Sequence, residues 1–258
     1  MIRRTVQTSN VHRMMSMVAD LSQPSANERM GMVYARPGEG KTTATEYAVI
    51  QTGGVFVRAV RAMSPTSLLQ ALCAELQVPA GRQRYPMYQA ICQALTVDPR
   101  PVFVDEADYC AERHDLLDTL RDIYDQTGAP VVLIGMDTLP GLIPAFAADR
   151  PLHGTHARFT RRITQRLEFK PLGMLDAQRV AGELCEVEVE GALPAGAEVG
   201  SVAGAGTLVE RLFGDSDGNV GRLVVLLEQA ERLATANGLG RVGLAEWDDV
   251  YGAGRGSR

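Results

Sequence analysis

Apolar positions along the chain alternate between helical stripes and short unbroken runs. Residues 9–21 (SNVHRMMSMVADL) place Val11, Met14, Met15, Val18 and Leu21 at i, i+3, i+4, i+7 spacing, with Ser9 or Asn10 as a cap, and so predict an amphipathic helix. Residues 30–35 form a compact apolar run that leads into the turn R-P-G-E-G, and residues 41–51 read as a helix. After Gly53-Gly54 comes the β-rich V-F-V-R-A-V, then two helical stretches over 65–76 and 85–95, then P-V-F-V-D-E-A-D over 101–108. Helix returns over 113–126, and A-P-V-V-L-I-G-M (129–136) is a continuous apolar strand of the kind parallel sheets bury on both faces. Strands alternating with helices predict an α/β fold, a central parallel sheet flanked by helices.

From 137 to 164 the pattern is loop and helix with clustered arginines, and R-L-E-F-K-P-L (166–172) suggests one more strand. Past Pro171 the helical stretches 175–187, 207–213 and 219–237 surround a Gly/Ala-rich segment, 191–206, and no strand run stands out. This divides the chain into an N-terminal segment (1–28), an α/β core (29–171) and a small all-helical domain (172–258), with a frayed tail, G-A-G-R-G-S-R.

With 258 residues, 45% hydrophobic and 22% charged, the chain has the makings of a globular core. No apolar run reaches the roughly 18 residues of a membrane span, and the start, M-I-R-R-T-V-Q-T-S-N, lacks the apolar centre of a secretory signal, so a cytoplasmic protein with no membrane partner is expected. The four cysteines (Cys73, Cys92, Cys110, Cys185) form no C-x-x-C pair and have no histidine at metal-ligand spacing, which fits buried reduced thiols. A net charge of −5 argues against coating nucleic acid by bulk charge and leaves local patches as the only route.

The strongest chemical signal is A-R-P-G-E-G-K-T, residues 35–42, between an expected strand and an expected helix. It matches a phosphate-binding loop with Ala35 in place of the first glycine. Arg36, Pro37, Gly38, Glu39, Gly40, Lys41, Thr42 and Thr43 then line the phosphates: successive backbone N–H groups turn inward, and the helix that follows adds its N-terminal partial charge. Lys41 would reach the β- and γ-phosphates of ATP, and the Thr42 hydroxyl would bind Mg²⁺. The second signal is V-F-V-D-E, 102–106, a strand ending in two carboxylates that strand alternation aims to opposite sides. Asp105 suits Mg²⁺ and Glu106 suits a general base on the attacking water.

Together these motifs resemble the AAA+ ATPases over roughly residues 9–237. The resemblance implies a P-loop fold with a C-terminal helical lid, and three further roles. A polar sensor is expected after the V-V-L-I-G strand, where this chain has Met136 followed by Asp137 and Thr138. An arginine finger directed at the neighbouring subunit is expected just before the last strand, where H-A-R-F-T-R-R-I-T-Q-R puts Arg158, Arg161, Arg162 and Arg166 on one face if the stretch is helical. Arg162 fits that role best and Arg161 next. In G-N-V-G-R-L, Arg222 stands where a second sensor reaches back to the γ-phosphate.

Within the AAA+ proteins, T-S-N-V-x-R, the T-R-R-I segment and the short lid are similar to the MuB/TniB type of phage and transposon ATPases. That resemblance implies an ATP-dependent DNA-binding protein that forms a homo-oligomer, ring or helical filament, on double-stranded DNA and delivers this target to a transposase. DNA contacts would then come from Arg58 and Arg61 after the second strand and from Arg82 and Arg84 in A-G-R-Q-R-Y, with Tyr85 as a stacking partner. A helicase loader, or a protein-remodelling or secretion-associated ATPase that never touches DNA, is the alternative.

Overall fold

The computed structural model describes residues 5–23, 29–143, 159–194 and 206–252. Within them the elements run α1 (Ser9–Leu21), β1 (Met30–Ala35), α2 (Lys41–Thr52), β2 (Val55–Arg58), α3 (Pro65–Glu75), α4 (Arg84–Val97), β3 (Val102–Asp105), α5 (Asp108–Ala111), α6 (His114–Thr127), β4 (Val131–Met136), α7 (Leu139–Leu142) and β5 (Ile163–Glu168). There follow α8 (Met174–Leu184), β6 (Glu188–Val189), α9 (Leu208–Ser216), α10 (Val220–Ala236), β7 (Arg241–Val242) and α11 (Leu244–Tyr251). The chain separates into two compact units, one of Val11–Pro37 and Lys41–Phe169, the other of Met1–Asn10, Gly38–Gly40 and Lys170–Arg258.

The first unit is a parallel sheet in the order β2-β3-β4-β1-β5. Its middle strands are buried on both faces, which is why they read as unbroken apolar runs. Alternate residues feed two cores. Met30, Met32, Val104, Val131 and Leu133 pack with α3, α4 and α6, whereas Val33, Ala35, Phe103, Val132 and Ile134 pack with α1 and α2. Helix α1 lies close on β1: a Cβ at Gly31 would stand 2.7 Å from Leu21 Cδ1, so the glycine is what admits the helix. Helix α3 starts on a reciprocal cap between Ser64 and Ser67 and on Pro65, and α6 stops at Gly128, whose φ of 66° a side chain would strain.

The other unit gathers α8–α11 around Leu172, Val180, Leu208, Leu212, Leu223, Leu227 and Trp247, and Val6 joins this core. Helices α9 and α10 are capped by Thr207 and Asn219, each accepting a backbone N–H. Asn10 pairs with the backbone of Lys170 in both directions, its Nδ2 donating to the carbonyl at 2.7 Å and its Oδ1 accepting the N–H at 3.1 Å. The Gly221 N–H donates to the Gly38 carbonyl at 2.8 Å, one of the contacts by which residues 38–40 belong to this unit.

Four local expectations need correction. Helix α1 begins at Ser9 itself, and neither Ser9 nor Asn10 caps it: Ser9 donates its N–H to the Asp176 carboxylate, and Asn10 is engaged with Lys170. The last sheet strand starts at Ile163, so Arg161, Arg162 and Arg166 do not share a helix face; the first two lie in a turn and Arg166 lies in β5. The C-terminal part is not free of strands: β6 and β7 pair in parallel over two residues each, too short to leave a period in the sequence. It also has a further helix, α11, beyond those expected.

Candidate active site

Parallel pairing brings the carboxyl ends of β1, β3 and β4 to one edge of the sheet, with β4 between the other two. Beyond β1 the chain enters the loop at Arg36, Pro37 and Gly38, all exposed, then the buried Glu39, and Gly40. Gly38 and Gly40 both sit at φ 79°, a left-handed conformation that side chains rarely adopt, and this is how the loop turns back on itself before α2. The Lys41 ammonium donates to the carbonyls of Ala35 and Arg36, at 2.8 and 3.0 Å. Thr42 is half-buried and Thr43 exposed on the first turn of α2.

Strand β3 ends at Asp105, 2% exposed, and its carboxylate collects three donors. The Thr42 hydroxyl and an Arg58 guanidinium nitrogen both donate to Oδ2 at 3.2 Å, and the Glu106 N–H donates to Oδ1 at 3.0 Å. Thr42 of the loop motif and Asp105 of the D-E pair, far apart in the sequence, therefore meet in one place. Arg58 arrives by register, since it is the β2 residue paired with Asp105. Adjacent acids do not diverge by strand alternation, as the sequence suggests: the strand stops at Asp105, and Glu106 turns into the left-handed region with φ 55°. Among non-glycine residues such a conformation is uncommon and concentrates at functional sites.

The end of β4 carries the expected departure. Gly135 is buried, Met136 half-buried, and Asp137 and Thr138 exposed. What meets this segment is Asp108, which sequence reasoning passed over: its Oδ2 accepts the Met136 N–H at 2.8 Å and its Oδ1 the Thr138 hydroxyl at 3.3 Å. The available signal was the last letter of D-E-A-D, three residues past Asp105 and in the first turn after the strand.

The arginines fall in distinct settings. Arg162 makes a bidentate ion pair with Asp125 of α6, Nε to Oδ1 at 2.5 Å and a terminal nitrogen to Oδ2 at 2.6 Å. Arg161 is exposed, and Arg158 lies outside the described residues. Arg166 donates to the Ile143 carbonyl at 3.2 Å, and burial pulls its pKa down. Arg222 is exposed on the first turn of α10, its backbone N–H held by Asn219 Oδ1 at 3.0 Å. Arg61, Arg82, Arg84 and Tyr85 are exposed, Arg84 donating to Thr66 at 2.8 Å and the Tyr85 ring stacking on Tyr88 at 6.3 Å between centroids.

Residues fit for Mg²⁺ and a triphosphate are present: a buried carboxylate hydrogen-bonded to a threonine hydroxyl, and, just before that threonine in the chain, a loop whose Gly38 and Gly40 adopt positive φ. Among the described residues no cluster of three His, Cys, Asp or Glu is placed to hold a metal ion. No described helix is long and apolar enough to cross a membrane.

Comparison with known proteins defines the class of this domain. Residues 25–143 match the family model described as an AAA domain, so this stretch carries an AAA-type P-loop ATPase domain. No curated protein matches the chain by sequence. Among solved structures it is similar to the Aeropyrum pernix ORC1 protein in complex with DNA, at 16% identity and a TM-score of 0.59, over 97% of this chain and 66% of that one. It is likewise similar to the ADP form of the Aeropyrum pernix ORC2 protein, at 16% identity and a TM-score of 0.62, over 93% of this chain and 66% of the other. The Thermotoga maritima RuvB Holliday junction branch migration motor follows, at 15% identity and a TM-score of 0.56, over 97% and 72%. The chain thus spans just under two thirds of the length of the two ORC proteins. At such identities the likeness carries the fold: a P-loop AAA fold, as the sequence pattern implies.

Proposed function

We propose that the chain is an ATP-dependent DNA-binding ATPase that assembles on double-stranded DNA and delivers this target to a transposase. The observation that carries the ATPase part is the hydrogen bond from the Thr42 hydroxyl, in the first turn of α2, to the buried Asp105 carboxylate that ends β3. Backbone N–H groups of residues 38–42 hold the phosphates, and Lys41 gives up its carbonyl partners to neutralise them. Thr42 and Asp105 hold Mg²⁺, which supplies charge neutralisation of the transferred phosphoryl group. Glu106 accepts the proton of the attacking water. Arg162, or Arg161 beside it, acts on the neighbouring subunit's nucleotide, Asp137 or Thr138 serves as first sensor, and Arg222 as second.

DNA binding is supported by the exposed Arg61, Arg82, Arg84 and Tyr85, and by the likeness to an ORC1 protein whose structure was solved with DNA. Arg58, the fourth arginine of that set, is half-exposed and engaged with Asp105, so its contribution to DNA is the smallest of the four. An acidic chain can still bind DNA this way when oligomerisation sums a few phosphate contacts per subunit. The transposase partner rests on the T-S-N-V-x-R and T-R-R-I segments and the short lid.

The test is retention of duplex DNA on a filter with and without ATP, for the wild type and Lys41→Ala. ATP-dependent retention that is lost in the variant is expected. No retention with ATP overturns the DNA part, preference for single strands favours the helicase-loader alternative, and unchanged ATP affinity in Lys41→Ala overturns the loop assignment.

A further inference from the structure

The hydrogen bonding between β3 and β4 does not stop where the strands do. Strand pairing ends at Val104 and Leu133, yet Ala107 donates its N–H to the Ile134 carbonyl at 2.8 Å, and Asp108 then takes the Met136 N–H on one carboxylate oxygen and the Thr138 hydroxyl on the other. The Asp108 side chain thus replaces a backbone partner for the chain leaving β4. Gly135 shows that this contact is built. A Cβ there would stand 2.3 Å from Asp108 Oδ2 and 2.9 Å from Leu139 Cδ2. Its φ is not in the left-handed region, so the glycine supplies room for the carboxylate, not backbone freedom. Two residues before Asp108 is Glu106, in a left-handed conformation that persists only when its surroundings over-determine it.

We propose that Asp108 is a positioning residue for hydrolysis, resting on the ATPase reading above: its carboxylate fastens residues 136–138 to the turn that carries Glu106, so that the base and the sensor segment keep one geometry. This accounts for the missing polar side chain at the end of β4. Gly135 and Met136 bring no polar side chain of their own, and the sensor candidates Asp137 and Thr138 just beyond them follow a backbone held by the carboxylate from the neighbouring strand's turn. Loss of the Asp108 carboxylate frees both the Met136 N–H and the Thr138 hydroxyl, and the turn at Glu106 relaxes, while Lys41, Thr42 and Asp105 keep their own contacts.

The experiment compares D108A, D108N, G135A and D108A/G135A by ATP turnover, fluorescent-nucleotide affinity and thermal midpoint. In D108A, kcat is expected to fall about 10²-fold, the scale of a misplacement near 1 Å, with KM and ATP affinity unchanged. D108N keeps an acceptor for Met136 and a donor for Thr138, so it recovers most of kcat. G135A alone loses kcat, but added to D108A it costs little more, because the atom it collides with is gone; the cycle is non-additive. Additive losses, a kcat that falls only as the folded fraction falls, or a KM effect with kcat intact each overturn the proposal. Undiminished turnover in D108A overturns it alone, whereas absence of turnover in the wild type overturns the hydrolysis reading and this with it.

Discussion

Removing the Asp105 carboxylate separates what the group does for the fold from what it does for the nucleotide. The side chain is 3% exposed and accepts three donors, so Asp105→Ala leaves the Thr42 hydroxyl and the Glu106 N–H without this acceptor. Each is worth about 1 kcal/mol. The Arg58 pair adds at most about 1 kcal/mol, since the Arg58 side chain is 51% exposed and water screens it. A loss of about 2–3 kcal/mol follows, which in a chain of this size lowers the thermal midpoint by about 5–10 °C. Asp105→Asn keeps one oxygen and is expected to lose about half of that. Both variants lack the anionic ligand, so Mg²⁺ no longer strengthens ATP binding in either. Thermal melts paired with nucleotide titrations, with and without Mg²⁺, read the two effects separately. Wild-type melting of Asp105→Ala would refute the hydrogen-bond accounting, and wild-type Mg²⁺ dependence in Asp105→Asn would refute the metal role.

Glu106→Gln is expected to bind ATP normally, hold DNA longer and lower turnover about 10²–10⁴-fold; wild-type turnover would remove Glu106 as the base. For the finger, Arg162→Ala and Asp125→Ala form the informative pair, because the two side chains hold each other within one protomer. If Arg162 acts on the next subunit, Arg162→Ala lowers turnover of the oligomer and Asp125→Ala does not; equal losses in both assign Arg162 to holding the turn before β5 against α6 and shift the finger to Arg161. The thiols give a pH test. Burial, with a smaller contribution from Asp115, pushes the Cys110 thiol up to about 12, and burial, with Glu231, does the same for Cys185. The native protein is therefore expected to react slowly with a thiol reagent at pH 8 and rapidly once unfolded. Above about pH 9 the unfolded chain releases thiol protons that the folded chain keeps, so stability falls as pH rises further; melts that are flat from pH 8 to 10.5 would contradict the burial.

The sheet was legible because a strand buried on both faces must be apolar throughout, and Met30–Ala35 and Val131–Met136 are. The loop and the two acids were legible because phosphate and metal chemistry fixes residue type and spacing together. Pairings across the chain were not. That Arg58 would stand beside Asp105 depends on strand register, that Asn10 would pair with Lys170 depends on a return of the chain from far along the sequence, and neither leaves a local pattern. The same holds for Arg162: its spacing to Arg158, Arg161 and Arg166 puts them on one face only if the stretch is helical, and Ile163 and Leu167 are instead buried on an edge strand. Strands β6 and β7, of two residues each, fall below the length at which alternation can be seen.

Strand β1 is enclosed only by strands that lie far along the chain. Its partners on either side are β4 and β5, residues 131–136 and 163–168, so a chain that stops before Val131 leaves Met30, Met32 and Val33 with no strand to hydrogen-bond them, and one that stops before Ile163 leaves one side of β1 open. Non-local parallel pairing of this sort forms slowly and leaves sticky edges in the interval. Fragments that stop before β4 are accordingly expected to be poorly soluble, and the phosphate loop that β1 carries is expected to take shape only once β4 has joined the sheet.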